Sequence, residues 1–226
     1  MSQTNFMNQS CAFLFDLDGV LVDTARFHYL AWRRLANQLG FEFTVEQNEA
    51  LKGISRMESL EIVLGVGKMN LSPEEKVKYA TEKNEYYLQL CSTMTPDDLL
   101  PGVAAFITEA RAKGIKIGLG SASKNAGIIL DSVGIRHFFD TIVDGNRIQK
   151  SKPDPEVFLL GAKDLELSPE TCVVFEDAVA GIEAAQRAGM KTVGVGDPEI
   201  LVKANIVIPG FEGISVADIM ADICRY

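Results

Sequence analysis

Short apolar runs alternate with longer amphipathic segments along most of the chain, and this pattern predicts the secondary structure. The run 11–15 is apolar at every position, which is typical of a strand buried on both faces. After residue 102, strands are predicted over 115–120, 141–143, 172–175, 191–195 and 204–208, and helices over 103–112, 124–133, 155–165, 179–188 and 214–224. This alternation predicts an α/β fold with a doubly wound parallel sheet.

The segment between the first strand and about residue 95 carries helical spacing only. Helices are predicted over 25–39, 45–51, 57–64 and 72–90, the last beginning with a Ser-Pro-Glu-Glu sequence that favours a helix start. A helical block inserted after a first strand indicates a separate cap. We therefore predict a helical cap of residues 24–95 and an α/β core made of residues 1–23 plus 96–226.

Composition narrows the choice of partners. The 226 residues carry a net charge of −9, which argues against a nucleic-acid or anionic-membrane partner, since both require a basic face. No apolar run is long enough to span a bilayer, and the four cysteines show neither paired nor metal-ligand spacing. We expect a monomer in the cytoplasm that acts on a small molecule.

Two carboxylates, Asp16 and Asp18, follow the first strand directly. Side chains alternate along a strand, so the two would share a face if the extended chain continued past Phe15, and Gly19 then allows a turn. Such a pair suits a Mg²⁺ site or acid/base work, while a helix N-cap or a solvated turn is the alternative. The carboxyl edge of an open α/β sheet is also where ligands bind.

The second predicted core strand ends in Ser121-Ala122-Ser123-Lys124-Asn125. Hydroxyls and backbone N–H groups at a helix start form a phosphate site, although Ser121 or Ser123 can equally serve as an ordinary N-cap. Further on, Lys152 precedes a proline, which keeps it extended. It can reach a phosphoryl group on Asp16, or it can be a surface lysine.

A later predicted strand ends in the acids Glu176 and Asp177. A carboxylate at this point can complete a Mg²⁺ shell together with Asp16, if the two strands lie side by side. Capping of the next helix by Asp177 is the alternative. Each of these motifs is weak alone, but they occur in order at successive strand ends.

The string from Phe15 to Thr24 resembles the first motif, DxDGx(V/T)xDT, of the haloacid dehalogenase superfamily, and the later strand ends resemble its other motifs. The resemblance implies a Rossmann-like core. It also implies that Asp16 is the nucleophile, that Asp18 is the general acid/base, and that Ser121 and Lys152 hold the transferring phosphoryl group. The implied ligands of one Mg²⁺ are Asp16, the Asp18 backbone carbonyl, Asp177 and, directly or through water, Glu176.

Residues 51–60, LKGISRMESL, resemble the cap signature LKGxSRxxSL of the β-phosphoglucomutase family. The chain departs from the family at Met57, where an acid is common, and at Ala178, where serine is common. The resemblance implies a mutase that converts β-D-glucose 1-phosphate to glucose 6-phosphate through β-glucose 1,6-bisphosphate. The implied substrate-binding residues are Thr24, His28, Trp32, Lys52, Gly53, Arg56, Ser59, Lys83, Asn84, Ala122, Ser123, Lys124 and Asn125.

Within this set, the cap residue Arg56 is expected to clamp a second phosphate, because a guanidinium binds phosphate oxygens in pairs. His28 is expected to contact Asp18 or the cap hinge. For Trp32, the alternative to substrate binding is packing in an apolar core. For Lys83 and Asn84, the alternative is a solvent-exposed position on a helix face. For the whole chain, a sugar-phosphate or phosphoglycolate-type phosphatase is the alternative function, and a non-enzymatic regulatory protein of the same fold is a further one.

Overall fold

The computed structural model describes residues 11–51 and 54–225, and its centre is a six-stranded parallel sheet. The strand order is β3-β2-β1-β4-β5-β6. The strands are β1 (Ala12–Phe15), β2 (Lys116–Gly120), β3 (Thr141–Val143), β4 (Cys172–Glu176), β5 (Lys191–Val195) and β6 (Ile206–Ile208). The predicted α/β class with a parallel sheet is confirmed.

Helices cover both faces of this sheet, which makes it doubly wound. The helices of the core are α5 (Val103–Ala112), α6 (Ala126–Ser132), α7 (Glu156–Asp164), α8 (Val179–Arg187) and α9 (Val216–Ile223). Phe13 and Phe15 of β1 pack in one apolar cluster with residues of α5, α6 and α9, whereas Leu14 packs in a second cluster with residues of α7 and α8. The alternation of side chains along β1 therefore supplies both layers of the core.

Four further helices form the segment predicted as a cap. They are α1 (Ala25–Gln38), α2 (Val45–Glu49), α3 (Arg56–Val66) and α4 (Pro73–Cys91). Capping boxes start three of them, at Thr44, Ser55 and Ser72, where each side chain accepts a backbone N–H and the third helical residue returns a hydrogen bond. A separate apolar cluster that includes Trp32 and Leu60 holds α1, α3 and α4 together, and Phe43 and Leu51, on either side of α2, belong to it. The boundaries of the cap stay a prediction.

The two connections between the helical segment and the sheet lie side by side. Val22 and Leu99 form an antiparallel bridge, and the N–H of Leu100 donates to the carbonyl of Leu21 at 2.9 Å. Close by, Arg26 pairs with Asp98 at 2.8 Å. In the part of the chain that the structure describes, no helix is long and apolar enough to cross a membrane.

Several element starts differ from the predictions, and three of them differ by two residues. The helix predicted from residue 214 begins at Val216, because Ser215 is its N-cap. The helix predicted from residue 124 begins at Ala126, because the hydroxyls of Ser121 and Ser123 accept the N–H groups of the residues two positions on and hold a turn there. The strand predicted from residue 204 begins at Ile206, because the Asn205 side chain accepts the N–H of Thr192 at 2.8 Å and precedes the regular ladder.

Candidate active site

A cavity of about 1030 Å³ lies at the carboxyl ends of β1, β2 and β4, with α1 to α4 forming its other walls. The strand order reverses between β1 and β4, which is the position where open α/β sheets bind ligands. The predicted site residues that line it are Asp16, Asp18, His28, Trp32, Arg56, Ser59, Lys83, Asn84, Ser121, Ala122, Ser123, Lys124, Asn125, Glu176 and Asp177. Lys52 and Gly53 lie outside the described residues.

Lys152 forms the buried charged centre of the site. Its ammonium group contacts Asp16 Oδ1 at 2.5 Å and Glu176 Oε1 at 2.7 Å. Burial alone would lower the pKa of Lys152, but the two carboxylates outweigh burial and raise it. Lys152 is therefore a permanent cation beside Asp16, and the alternative of a surface lysine is wrong, since Lys152 is only 3% exposed.

Three carboxylates, Asp16, Glu176 and Asp177, each place an oxygen within 4.8 Å of the other two. This donor set fits Mg²⁺, which prefers carboxylate oxygens and retains several waters. Both oxygens of Glu176 are already used, one by Lys152 and the other by the N–H of Ala178 at 2.7 Å. Glu176 is therefore poorly suited to direct ligation of the ion. The next helix has Ala178 as its N-cap, with no side-chain cap, so the alternative of helix capping by Asp177 is wrong.

Asp18 lies half-buried two residues beyond Asp16. Burial raises the pKa of Asp18 to about 7, and the charges of Asp16 and Asp23 add to this rise, while a hydrogen bond from Thr24 opposes it. A carboxyl group with a pKa near neutrality can both accept and donate a proton at physiological pH. The electrostatics of the ligand-free site thus suit Asp18 to acid/base work.

Thr24 holds Asp18 instead of meeting the cavity. It is fully buried and does not line the cavity, so its predicted place among the substrate-contacting residues is wrong. Its hydroxyl donates to Asp18 Oδ1 and accepts from the Tyr87 hydroxyl at 3.2 Å. Thr24 and Tyr87 together fix the carboxyl group of Asp18 from behind.

His28 contacts the cap helix α4, and no hydrogen bond joins it to Asp18 among the described residues. Its Nδ1 lies 2.9 Å from Lys83 Nζ, and its ring stacks on Tyr87 at 4.1 Å between centroids. The expected contact with Asp18 is therefore not a direct hydrogen bond: Thr24 bonds to Asp18 and accepts from Tyr87, whose ring stacks on His28. The alternative, a contact of His28 with the cap hinge, stays a prediction. Burial, with the charges of Lys83 and Arg56, lowers the pKa of His28, so its imidazole is neutral.

Lys83 and Trp32 meet on the cap side of the cavity. Lys83 is 4% exposed, so the alternative of a solvent-exposed position on a helix face is wrong for this residue. Its Nζ lies 4.4 Å from the centre of the Trp32 ring. Trp32 belongs to the apolar cluster of the cap helices, and it also lines the cavity. Burial, with the charge of Arg56, lowers the pKa of Lys83 to about 7.

This lysine makes ligand-free stability depend on pH. An unfolded lysine has a pKa of about 10.4, so between the folded and unfolded values the unfolded chain binds the additional proton, and stability rises with pH. We expect Lys83→Met to stabilise the protein by about 2 kcal/mol or more near pH 6, and this gain should shrink as the pH approaches about 10. Thermal unfolding across this pH range measures the difference.

Lys78→Met is the matched control for this measurement, because the Lys78 side chain is 66% exposed on the same helix. The control should change the melting temperature little at any pH. A stability gain for Lys83→Met that stays constant with pH would contradict the lowered pKa of Lys83.

Arg56 is a half-buried cation that lines the cavity from α3. It has no carboxylate within 4 Å among the described residues, and burial lowers the pKa of its guanidinium. Arginine stays charged even so. An unpaired, partly desolvated guanidinium is suited to a bidentate anion such as phosphate.

The loop after β2 supplies hydroxyls and amides at the core side of the cavity. Ser121 and Asn125 are buried, while Lys124 is exposed at the rim. The alternative of an N-cap by Ser121 or Ser123 is wrong, since Asn125 holds that position. The Asn125 side chain donates to Asn84 Oδ1 at 2.8 Å, so Asn84 joins the helix α4 to the loop after β2.

Comparison with known proteins gives the family. A family model described as haloacid dehalogenase-like hydrolase matches residues 12–189. The chain is 45% identical over 199 residues to a β-phosphoglucomutase of Bacillus subtilis, covering 87% of this chain and 88% of that protein. The chain belongs to the β-phosphoglucomutase family of the haloacid dehalogenase superfamily. This membership agrees with the motifs at the strand ends and in the cap.

Solved structures and other relatives agree with this membership. A crystal structure of β-phosphoglucomutase from Clostridium difficile superimposes with a TM-score of 0.92 at 46% sequence identity, covering 96% of this chain and 99% of that one. A fructose-1-phosphate phosphatase of Escherichia coli is 32% identical over 182 residues, covering 80% of this chain and 94% of the phosphatase. The relatives of this chain therefore include a phosphatase as well as mutases.

Sequence reasoning missed two residues of the site. Tyr87 lies one helical turn after Lys83, so the two share a face of α4, and this spacing was the available signal. Asn48 lines the cavity from α2 and is 4% exposed. No motif in the sequence marks Asn48, because its role depends on how the cap folds.

Proposed function

We propose that the protein is a β-phosphoglucomutase that interconverts β-D-glucose 1-phosphate and glucose 6-phosphate. The observation that carries this proposal is the cation Arg56 in the wall of the same cavity as Asp16. A mutase must hold two phosphates, one at the nucleophile and one away from it, whereas a phosphatase needs one. Family membership supports the same reaction.

In the proposed cycle, Asp16 begins as an aspartyl phosphate. It donates its phosphoryl group to the 6-hydroxyl of β-D-glucose 1-phosphate, which yields β-glucose 1,6-bisphosphate. The bisphosphate reorients in the cavity and returns its 1-phosphoryl group to Asp16, which releases glucose 6-phosphate. A trace of the bisphosphate primes the enzyme by phosphorylating Asp16.

Asp18 moves the protons of both half-reactions. Its carboxylate takes the proton of the attacking hydroxyl, and its carboxyl form later protonates the leaving sugar oxygen. A pKa of about 7 suits both tasks. The hydrogen bonds that join Tyr87, Thr24 and Asp18 keep the carboxyl group in place during both steps.

Charge stabilisation comes from Lys152 and Ser121. In phosphoryl transfer the negative charge spreads over three equatorial oxygens, and fixed donors beside them supply most of the catalysis. Glu176 holds Lys152 against Asp16 and keeps it charged. Closure of the cap, residues 24–95, would exclude water and protect the aspartyl phosphate.

Mg²⁺ is the proposed cofactor, held by Asp16, Asp177 and the backbone carbonyl of Asp18. When bound, it neutralises charge on the transferring phosphoryl group. Asp177→Asn is expected to raise the Mg²⁺ concentration needed for half-maximal activity by at least about tenfold. Titration of activity with Mg²⁺ after removal of metal by a chelator measures this change.

Asp197→Asn is the control for the metal titration, since Asp197 is an exposed acid that follows β5 on the same edge of the sheet. It should leave the Mg²⁺ requirement unchanged. Full activity of the wild-type protein in excess chelator would contradict the proposed metal dependence.

A phosphatase is the second candidate, because the core motifs serve both reactions and a 32% identical relative is a fructose-1-phosphate phosphatase. The deciding experiment supplies Mg²⁺, β-D-glucose 1-phosphate and a trace of bisphosphate, and follows glucose 6-phosphate and free phosphate in parallel. The mutase predicts rapid glucose 6-phosphate, little free phosphate and no reaction of the α anomer. Rapid free phosphate with little glucose 6-phosphate would overturn the proposal in favour of the phosphatase.

A further inference from the structure

Asn48 carries a buried side-chain atom that lacks a hydrogen-bond partner. Its side-chain oxygen Oδ1 is buried and makes no hydrogen bond in the described part of the chain. The residue as a whole is 4% exposed, yet it lines the cavity. Almost all buried polar atoms in native proteins are hydrogen-bonded, so an exception at a cavity wall points to a bound molecule.

The side chain of Asn48 has no structural task in its own helix. Thr44 and Gln47 already cap α2, and the backbone groups of Asn48 bond to Thr44 and Leu51 at 3.2 and 3.0 Å. A leucine has the same branching of heavy atoms and would place no unpaired oxygen at this position. Retaining an amide at this place is therefore costly for the ligand-free fold.

The chemistry of the oxygen selects its partner. An amide oxygen accepts a hydrogen bond and cannot donate one, so it requires an O–H or N–H group and cannot bind a phosphate oxygen. Lys83, the cation on the same side of the cavity, already points its amino group at His28. The hydroxyl of Ser59, also in this cavity, has no protein partner among the described residues and is a second free polar group.

We propose that the Asn48 side chain turns toward the cavity when the sugar binds, so that Oδ1, buried in the ligand-free protein, accepts a hydrogen bond from an unphosphorylated ring hydroxyl at position 2, 3 or 4. Asn48 is then a specificity-determining residue of the cap, which recognises the sugar while Arg56 recognises the second phosphate. The proposal rests on the mutase function proposed above. It assigns the amide a role in binding and none in the chemical steps.

The first test compares Asn48→Leu with the wild type. Because the substitution removes an unpaired oxygen, the ligand-free variant should melt at the same temperature or higher, while kcat/KM for β-D-glucose 1-phosphate should fall about tenfold, the size of one hydrogen bond. Asn37→Leu is the matched control, because Asn37 is exposed on the outer face of α1; it should leave kcat/KM unchanged. A lower melting temperature of the variant together with an unchanged kcat/KM would overturn the proposal.

The second test uses the 2-deoxy, 3-deoxy and 4-deoxy forms of β-D-glucose 1-phosphate, with products followed by phosphorus NMR. In the wild type, one analogue should lose about tenfold in kcat/KM through the missing hydrogen bond, and in Asn48→Leu the same analogue should lose little more than the parent sugar. Asn48→Ala gives the same comparison if the leucine variant does not fold.

The outcomes separate this proposal from the proposed function. If the wild type forms no glucose 6-phosphate, the mutase function fails and the Asn48 proposal fails with it. If the wild type is a mutase and the deoxy analogues rank alike in wild type and variant, only the Asn48 proposal is overturned.

Discussion

Asp16→Asn is expected to lose mutase activity by at least about 10⁴-fold in kcat. An amide cannot take up the phosphoryl group, so no aspartyl phosphate forms and both half-reactions stop. The substitution is nearly isosteric, and Lys152 keeps its contact with Glu176 at 2.7 Å. The variant should therefore fold, and the loss should be chemical.

Two measurements check this result. Formation of glucose 6-phosphate gives the rate, and intact-protein mass after incubation with the bisphosphate shows one phosphoryl group on the wild type and none on the variant. Asp97→Asn, the same change at an exposed acid, should behave like the wild type in both. An Asp16→Asn protein with the wild-type rate would exclude the aspartyl-phosphate mechanism.

Arg56→Ala is expected to lower mutase kcat/KM by about 100-fold, because it removes charge-assisted hydrogen bonds to the second phosphate. Slow hydrolysis of the aspartyl phosphate needs no second phosphate and should change by less than about threefold. The arginine has no carboxylate partner in the described chain, so its removal leaves no unpaired protein charge. The expected loss is therefore specific to the substrate.

Two variants sharpen the test of Arg56. Arg56→Lys keeps the charge but loses the planar pair of donors, and it should recover only part of the activity. Arg34→Ala removes an exposed arginine of α1 that stacks on Tyr86 at 4.2 Å, and it should leave both activities unchanged. Equal losses of mutase and hydrolysis in Arg56→Ala would mean that Arg56 does not hold a second phosphate.

Much of the fold could be predicted because the signals are local. The apolar runs that became β1, β2 and β4 were found to within one residue of their ends, since strands buried on both faces leave no polar position inside. The helix after β2 was placed two residues early, because Ser121 and Ser123 form turns with their own backbone. Hydroxyl residues serve turns and caps alike, and the sequence does not separate the two.

Some residues of the site could be predicted and others could not, because only some of their signals are local in the sequence. Asp16 and Asp177 could be proposed from strand ends, because parallel strands bring their carboxyl ends to one edge. The contact of His28 with Lys83, 55 residues later in the chain, was not predicted, because the sequence does not show how the cap helices pack. Asn48 was not predicted, because burial without a partner is a property of the folded cavity.

The amino-acid sequence by itself determined the order of strands and helices, the chemistry at each strand end and the resemblance to one family, because these depend on neighbouring residues. Only the tertiary structure decided that Lys152 lies 2.5 Å from Asp16, 136 residues earlier in the chain. It also decided the strand order and the lowered pKa of Lys83. The packing of the core and the cap sets the distances between residues that are remote in the sequence. It also causes the desolvation that shifts their pKa values.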